Sequence, residues 1–230
     1  MIEEEWLTCG DPIPMLNSLE RATSKRKLRL FACACCYRIL PHLRLAESRT
    51  ALKMNEQYAD GEVPLTDLLS VARLHRNVVG SNRFTAVGAV ECAVGLDYTY
   101  GQLLPALVCA IGAASNAAWV AAGVLEDKGQ RPTAKERAQK SREDAVQTEF
   151  VRDIFGNSFE PIIFSPSWRT STAVALASQM YKARDFSAMP ILADALQDAG
   201  CDRADMLDHC RGPGPHVRGC WVADLVLRKK

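Results

Sequence analysis

The chain has 230 residues, 28 basic against 27 acidic, for a formal net charge of +1. That balance excludes a global field of the kind that draws in nucleic acid or an anionic membrane. A hydrophobic content of 48% with 24% charged residues excludes a disordered chain, and the length can bury the core of one large domain or two small ones.

The first residues, Met1-Ile2-Glu3-Glu4-Glu5-Trp6, are acidic where a secretory leader is basic and then apolar, so a cytoplasmic location is expected. Thiols are kept reduced there, and nine cysteines do not then form a disulfide framework. Burial as small hydrophobes is the default for them; metal ligation and thiol reactivity are the exceptions.

Helix signals dominate from the start. Asp11-Pro12 joins an N-cap to a proline at the first helical position and opens a helix to about Arg21. Ser24 caps the next, from Lys25 to about Leu40. Its Leu28, Phe31, Ala32, Cys35, Cys36 and Ile39 recur at three- and four-residue spacing and predict one buried face. Lys25, Arg26, Lys27 and Arg29 are expected at a solvent-facing start. Cys33 and Cys36 share a face, Cys35 points elsewhere, and all three read as structural thiols.

A third helix is predicted from Leu45 to Tyr58. Helical pattern resumes near Thr66 and continues, broken near Gly80 and Gly101, to about Glu126. Tyr98 to Leu125 carries no charge and is long enough to span a bilayer, with Lys128, Arg131, Lys135 and Arg137 following as a positive flank would. The stretch is poor in Leu, Ile and Phe, however, and holds Gln102, Pro105, Ser115 and Asn116. Buried unpaired amides are costly in lipid, so an Ala-rich bundle helix is expected and no membrane span.

Asp127-Lys128-Gly129-Gln130-Arg131-Pro132 reads as a linker, which divides the chain into a helical region over 1–128 and a C-terminal module over 132–230, the two able to pack as one domain. Thr133 and Glu136 have capping-box spacing and start a charged helix ending at about Phe155, where Gly156-Asn157 stops it. Phe159 to Trp168, with two prolines, is extended or irregular, an edge strand at most. Helices follow over Thr172 to Arg184, Met189 to Ala199 and Arg203 to Cys210, the last capped by Asp202. A final helix from near His216 carries Val217, Cys220, Trp221 and Leu225 on one face. The expected fold is all-α: a multi-helix bundle with a C-terminal helix–turn–helix module and at most one short extended segment.

The chemistry concentrates near the C-terminus. Cys201, His209, Cys210, His216 and Cys220 surround the stiff turn Gly212-Pro213-Gly214-Pro215 and include two of the four histidines and three of the nine cysteines. Zinc prefers four thiolate or imidazole ligands in a tetrahedron, often with a pair spaced within one helical turn. On a helix, His216 and Cys220 would stand at i and i+4 on one face. Cys201 and Cys210 are nine residues apart and do not form the close pair of a zinc signature. Cys220 also shares the packing stripe of Val217 and Trp221. Buried thiols around a stapled turn is therefore the leading reading. A zinc site on these five residues stands second, and a reactive thiol, Cys210 with His209 or Cys220 with His216, third.

No Gly-rich phosphate loop, His-Glu-x-x-His or nucleophile elbow occurs, so no catalytic or cofactor-binding residue is assigned. The basic runs Arg21 to Arg29 and Lys128 to Arg142 lack interleaved aromatics and read as solvated helix faces, not as a nucleic-acid surface. Asp194 and Asp198, one turn apart, have Arg203, Arg211 and Arg218 within reach as structural counter-charges.

Three stretches carry a resemblance. They are Glu4-Glu5-Trp6-Leu7 with Asp11-Pro12, Met15-Leu16 and Lys27 to Cys36; Arg152-Asp153-Ile154-Phe155-Gly156-Asn157 with Pro190 to Leu196; and His209-Cys210-Arg211 with His216-Val217-Arg218-Gly219-Cys220-Trp221. Together they resemble a large paralogous family of uncharacterised bacterial proteins over more than half the chain, with Thr50 to Gln147 as its variable Ala-rich part. Leu192 to Leu207 is similar to the repeat-companion domain of bacterial paralogous families, though Ala195 stands where that motif has an aromatic. Neither resemblance implies an activity, substrate or cofactor. The expected function is a non-catalytic protein-interaction module whose partner is another protein; the alternative is a zinc-binding protein or thiol-dependent enzyme centred on Cys201 to Cys220.

Overall fold

The computed structural model describes residues 1–19, 24–79, 86–97, 102–103, 105–124, 131–160 and 163–229. Among them are twelve α-helices, two 3-10 turns and one short antiparallel ladder that pairs Leu96–Asp97 with Gln102–Leu103. The fold is the all-α bundle expected. The chain divides into two compact units, Met1–Val151 and Arg152–Lys230. The expected breaks at Gly80 and Gly101, Arg21, and residues 127–130 of the predicted linker fall outside the described residues.

In the first unit the helices are α1 (Glu3–Thr8), α2 (Pro12–Ser18), α3 (Lys25–Arg38), α4 (Ala46–Ala59), α5 (Leu65–Val79), α6 (Ala86–Val94), α7 (Ala106–Ala121) and most of α8 (Ala134–Phe155). The first of these has no counterpart in the sequence expectation. Glu5 accepts the N–H of Ile2 at 2.9 Å, and Trp6 anchors the turn in the core at 1% exposure.

Helix α3 is central, packed against α4, α6 and α7. The predicted single buried face is corrected accordingly: Leu28 to Cys36 are buried on every side, Arg29 included. Arg29 is not at a solvent-facing start. Its guanidinium donates to Asn55 Oδ1 at 3.1 Å and to the Val94 carbonyl at 3.2 Å, and lies 5.4 Å from the Tyr58 ring centre. Asn55 in turn donates to the Ala93 carbonyl at 2.9 Å. The last carbonyls of α6, which have no helical donor, are thus satisfied from inside the core, and that is what a buried arginine does here. Cys33, Cys35 and Cys36 are buried as expected, and burial raises the thiols of Cys35 and Cys36 well above their ordinary range.

Helix α7 occupies most of the charge-free stretch. Its Ala110, Ala113, Ala114, Ala117 and Ala118 are buried, and small residues let it pack closely on α3 and α6. No described helix is long and apolar enough to cross a membrane. Ser48 and His75 form a buried contact of 2.9 Å between α4 and α5. Burial lowers the pKa of His75. With Ser48 at 0% and His75 at 1% exposure, the pair is a structural bond that no substrate reaches.

Helix α8 begins as predicted. The N–H of Thr133 donates to Glu136 at 2.6 Å, and the N–H of Glu136 donates back to the Thr133 hydroxyl at 3.2 Å. It ends at Gly156, whose φ of +68° turns the chain out of the helix.

The second unit holds the end of α8, a 3-10 turn at Pro166–Trp168, α9 (Ser171–Ala183), α10 (Met189–Asp198), α11 (Ala204–Arg211) and α12 (Trp221–Leu227). The described residues of 159–168 are irregular, as expected, and end in the 3-10 turn; no strand forms among them. The core runs from Ala173, Ala177 and Met180 of α9 through Leu192 and Leu196 of α10 to Trp221, Val222 and Val226 of α12. Two details differ from the sequence expectation. Arg203, not Asp202, precedes α11, with no side-chain cap. The last helix starts at Trp221 instead of His216, because Gly219 sits at φ +95° and interrupts any helical path between them. Arg169 holds that helix from its far end, donating to the Val226 and Leu225 carbonyls at 2.9 and 2.6 Å.

Candidate metal centre

Three segments that are distant in sequence meet in the second unit. Helix α8 brings Asp153 in its last turn, α11 brings His209 in its last turn, and the loop between α11 and α12 brings His216 and Cys220. One donor atom from each of the four lies within 4.8 Å of every other. Asp153 Oδ1 is the hub, 2.7 Å from His216 Nδ1 and 3.1 Å from His209 Nε2. His209 Nε2 is also 3.3 Å from Cys220 Sγ.

The loop is held to the hub by its backbone. The Val217 N–H donates to Asp153 Oδ2 at 2.9 Å, and the Cys220 N–H closes a turn on the Val217 carbonyl at 2.9 Å. Only one carboxylate oxygen is therefore left to face both imidazoles. Gly156, just past Asp153, admits the Trp221 indole: a Cβ there would stand 3.3 Å from the ring. The indole then lies 5.3 Å from the His209 ring, which meets His216 edge-on at 4.9 Å.

Burial shapes the charges. Desolvation of fully buried Asp153 would raise its carboxyl, but hydrogen bonds to and electrostatic attraction by the His209 and His216 rings outweigh it and hold the pKa below the ordinary carboxylate value. The Cys220 thiol is pushed well up by burial and by the nearby Asp153 charge. His216 Nε2 is buried without a hydrogen-bond partner among the described residues. Leaving such an atom unsatisfied costs about 1–3 kcal/mol; it is the ring nitrogen opposite the Nδ1 that meets Asp153, so an ion held through Nδ1 would leave it unsatisfied.

Of the five residues singled out by sequence, the structure joins His209, His216 and Cys220 and leaves out Cys201 and Cys210. Both excluded cysteines are buried in the apolar core, Cys201 with its sulfur 3.9 Å from Met206 Sδ. Burial pushes the Cys210 thiol up to about 12. Cys210 follows His209 directly on α11, and consecutive helical residues point about 100° apart. His209 therefore turns to Asp153 while Cys210 turns to the core. His216 and Cys220 do meet, but across a loop and a helix cap and not as an i, i+4 pair.

Asp153 was missed by the sequence reading. Its one local signal is position: an acid in the last turn of a long helix faces the negative end of the helix dipole and needs a cation nearby. Of the proposed ion network, Arg211 reaches Asp194 at 2.8 Å, while Arg203 pairs with Asp205 and Arg218 donates to the Tyr181 carbonyl.

Comparison with known proteins adds nothing to this geometry: no family model, curated protein or solved structure matches the chain.

Proposed function

We propose that the second unit is a metal-binding module that holds one zinc-class divalent ion through Asp153, His209, His216 and Cys220. The observation that carries this is the convergence of four different donor side chains within 4.8 Å from three separate segments. Zinc–nitrogen and zinc–oxygen bonds of about 2.0–2.2 Å and a zinc–sulfur bond of about 2.3 Å place tetrahedral ligand atoms roughly 3.3–3.6 Å apart. The contacts of 2.7, 3.1 and 3.3 Å would open to reach that spacing, and the remaining donor separations, all within 4.8 Å, would close where they exceed it.

The surroundings favour a cation. The last turns of α8 and α11 both supply ligands, and helix C-termini carry partial negative charge. One thiolate, two imidazoles and a carboxylate form a mixed donor set that suits zinc or cobalt better than the all-oxygen shells of calcium or magnesium. Uptake is coupled to proton release, since the buried Cys220 must give up its proton to bind.

All four corners come from the chain, which is the pattern of a structural and not a catalytic zinc. The second unit is small, and a structural metal is one of the means by which small domains supplement a limited core. The thiol-enzyme alternative has less support: Cys210 is buried in the core with its thiol pushed up to about 12, and Cys220, though 3.3 Å from His209, is fully buried with its thiol pushed well up. Elemental analysis of the purified, dialysed chain is expected to find about one zinc per chain. A metal-free chain that is fully folded and takes up no zinc or cobalt contradicts the proposal.

A further inference from the structure

The geometry points to His209 as the exchangeable corner of this centre, the position through which the ion enters and leaves and at which an outside monodentate nitrogen or sulfur donor can replace the protein ligand. The inference rests on the metal reading above. Burial separates the four ligands. The side chains of Asp153 and His216 are 2% and 8% exposed, and Cys220 is 0% exposed, whereas the His209 side chain is 19% exposed.

Anchoring separates them in the same order. Asp153 has its second oxygen fixed by the Val217 N–H, and Cys220 is set at the start of α12, which Arg169 ties down from the other end. His216 lies in the same loop, one residue before the Val217 bond, with its ring against the Asp153 carboxylate at 2.7 Å. Moving any of these three requires the loop or α12 to come away from α8.

His209 needs no such movement. It sits in the last turn of α11, and outside the donor cluster its ring meets Trp221 at 5.3 Å and His216 edge-on at 4.9 Å. Rotation about its own side-chain bonds carries it to solvent. What remains is a three-ligand site with an open fourth position, the arrangement in which zinc accepts an exogenous donor. A free imidazole, a small thiol or a donor side chain from a metal carrier has the required chemistry. Trp221 sets how readily the ring swings, because the indole occupies the space beside it.

The test uses the full chain loaded with cobalt, whose visible spectrum reports four-coordinate geometry. His209→Ala is expected to lose that spectrum and regain it on addition of free imidazole. His216→Ala is expected to lose it and not regain it, because the vacated position is sealed. In a second measurement Trp221→Phe, with all four ligands intact, should release zinc to a chromophoric chelator at least ten times faster than the unaltered chain. Equal rescue of both histidine variants, failure of imidazole to rescue His209→Ala, or an unchanged release rate in Trp221→Phe overturns the assignment of the exchangeable corner. An unaltered chain that takes up no cobalt overturns the metal centre itself, a separate outcome.

Discussion

Removing the metal with a chelator should lower the melting temperature of the second unit by roughly 15–30 °C and leave the transition of the first unit in place. The size follows from linkage. A ligand that binds only the folded state at about 1,000 times its Kd adds about 4 kcal/mol of stability. For a domain of about 80 residues each kcal/mol corresponds to roughly 4–8 °C in Tm. The direction follows from position: the ion would join the last turn of α8, α11 and the loop leading to α12, and all four donor residues lie in the second unit. Without it, Asp153 keeps its hydrogen bonds, but α11 is joined to Cys220 only by the 3.3 Å contact of His209 Nε2 with the sulfur. Calorimetry with and without chelator checks the shift, and hydrogen exchange read by mass spectrometry assigns it. Protection should fall in 204–227 and stay unchanged in α3 and α7. A second unit that melts at the same temperature in both conditions would defeat the proposal.

Replacing Cys220 and Cys210 in turn should give opposite results. Cys220→Ala removes the thiolate corner, and its effect on zinc affinity should exceed the 10–100-fold typical of changes to groups that only support a ligand. Cys210→Ala should leave the metal stoichiometry at one, because that residue is buried in the apolar core with Leu192 and Leu196 and is not one of the four converging donors. Any loss in Cys210→Ala should appear as reduced stability with the affinity preserved. Competition against a chelator of known affinity measures both. Equal losses of affinity in the two variants would mean that the ligand set is wrong. Zinc affinity in the unaltered chain should rise with pH, since burial and the Asp153 charge keep the proton on Cys220 until the metal displaces it.

Much of the fold was legible because local chemistry decides it. The Ser24 cap of α3, the Thr133–Glu136 box of α8 and the stop at Gly156 depend on residues within one turn of each other, and all three were read from sequence. Errors arose where tertiary surroundings override the local pattern. Arg29 looks like a solvent base by composition, yet it is drawn inward by the Val94 carbonyl at the end of α6 and by Asn55, both distant in the chain. Helix α12 starts later than its apolar stripe suggests because one left-handed glycine, Gly219, interrupts the path.

The site was half legible for the same reason. His209, His216 and Cys220 could be picked out because they crowd one stretch of chain, but crowding equally recommended Cys201 and Cys210. Only the rotation of α11 distinguishes His209 from its neighbour Cys210, and rotation follows from what the helix packs against. Asp153 is 63 residues from His216. No spacing rule spans that distance; only its unfavourable place at the end of α8 marked it.

The central claim is the identity of four donor atoms, and X-ray absorption on the zinc-loaded full chain tests it most directly. The account predicts one sulfur at about 2.3 Å and three nitrogen or oxygen neighbours at about 2.0–2.2 Å, with the sulfur absent from Cys220→Ala. A shell with no sulfur, or with two or more, would contradict it.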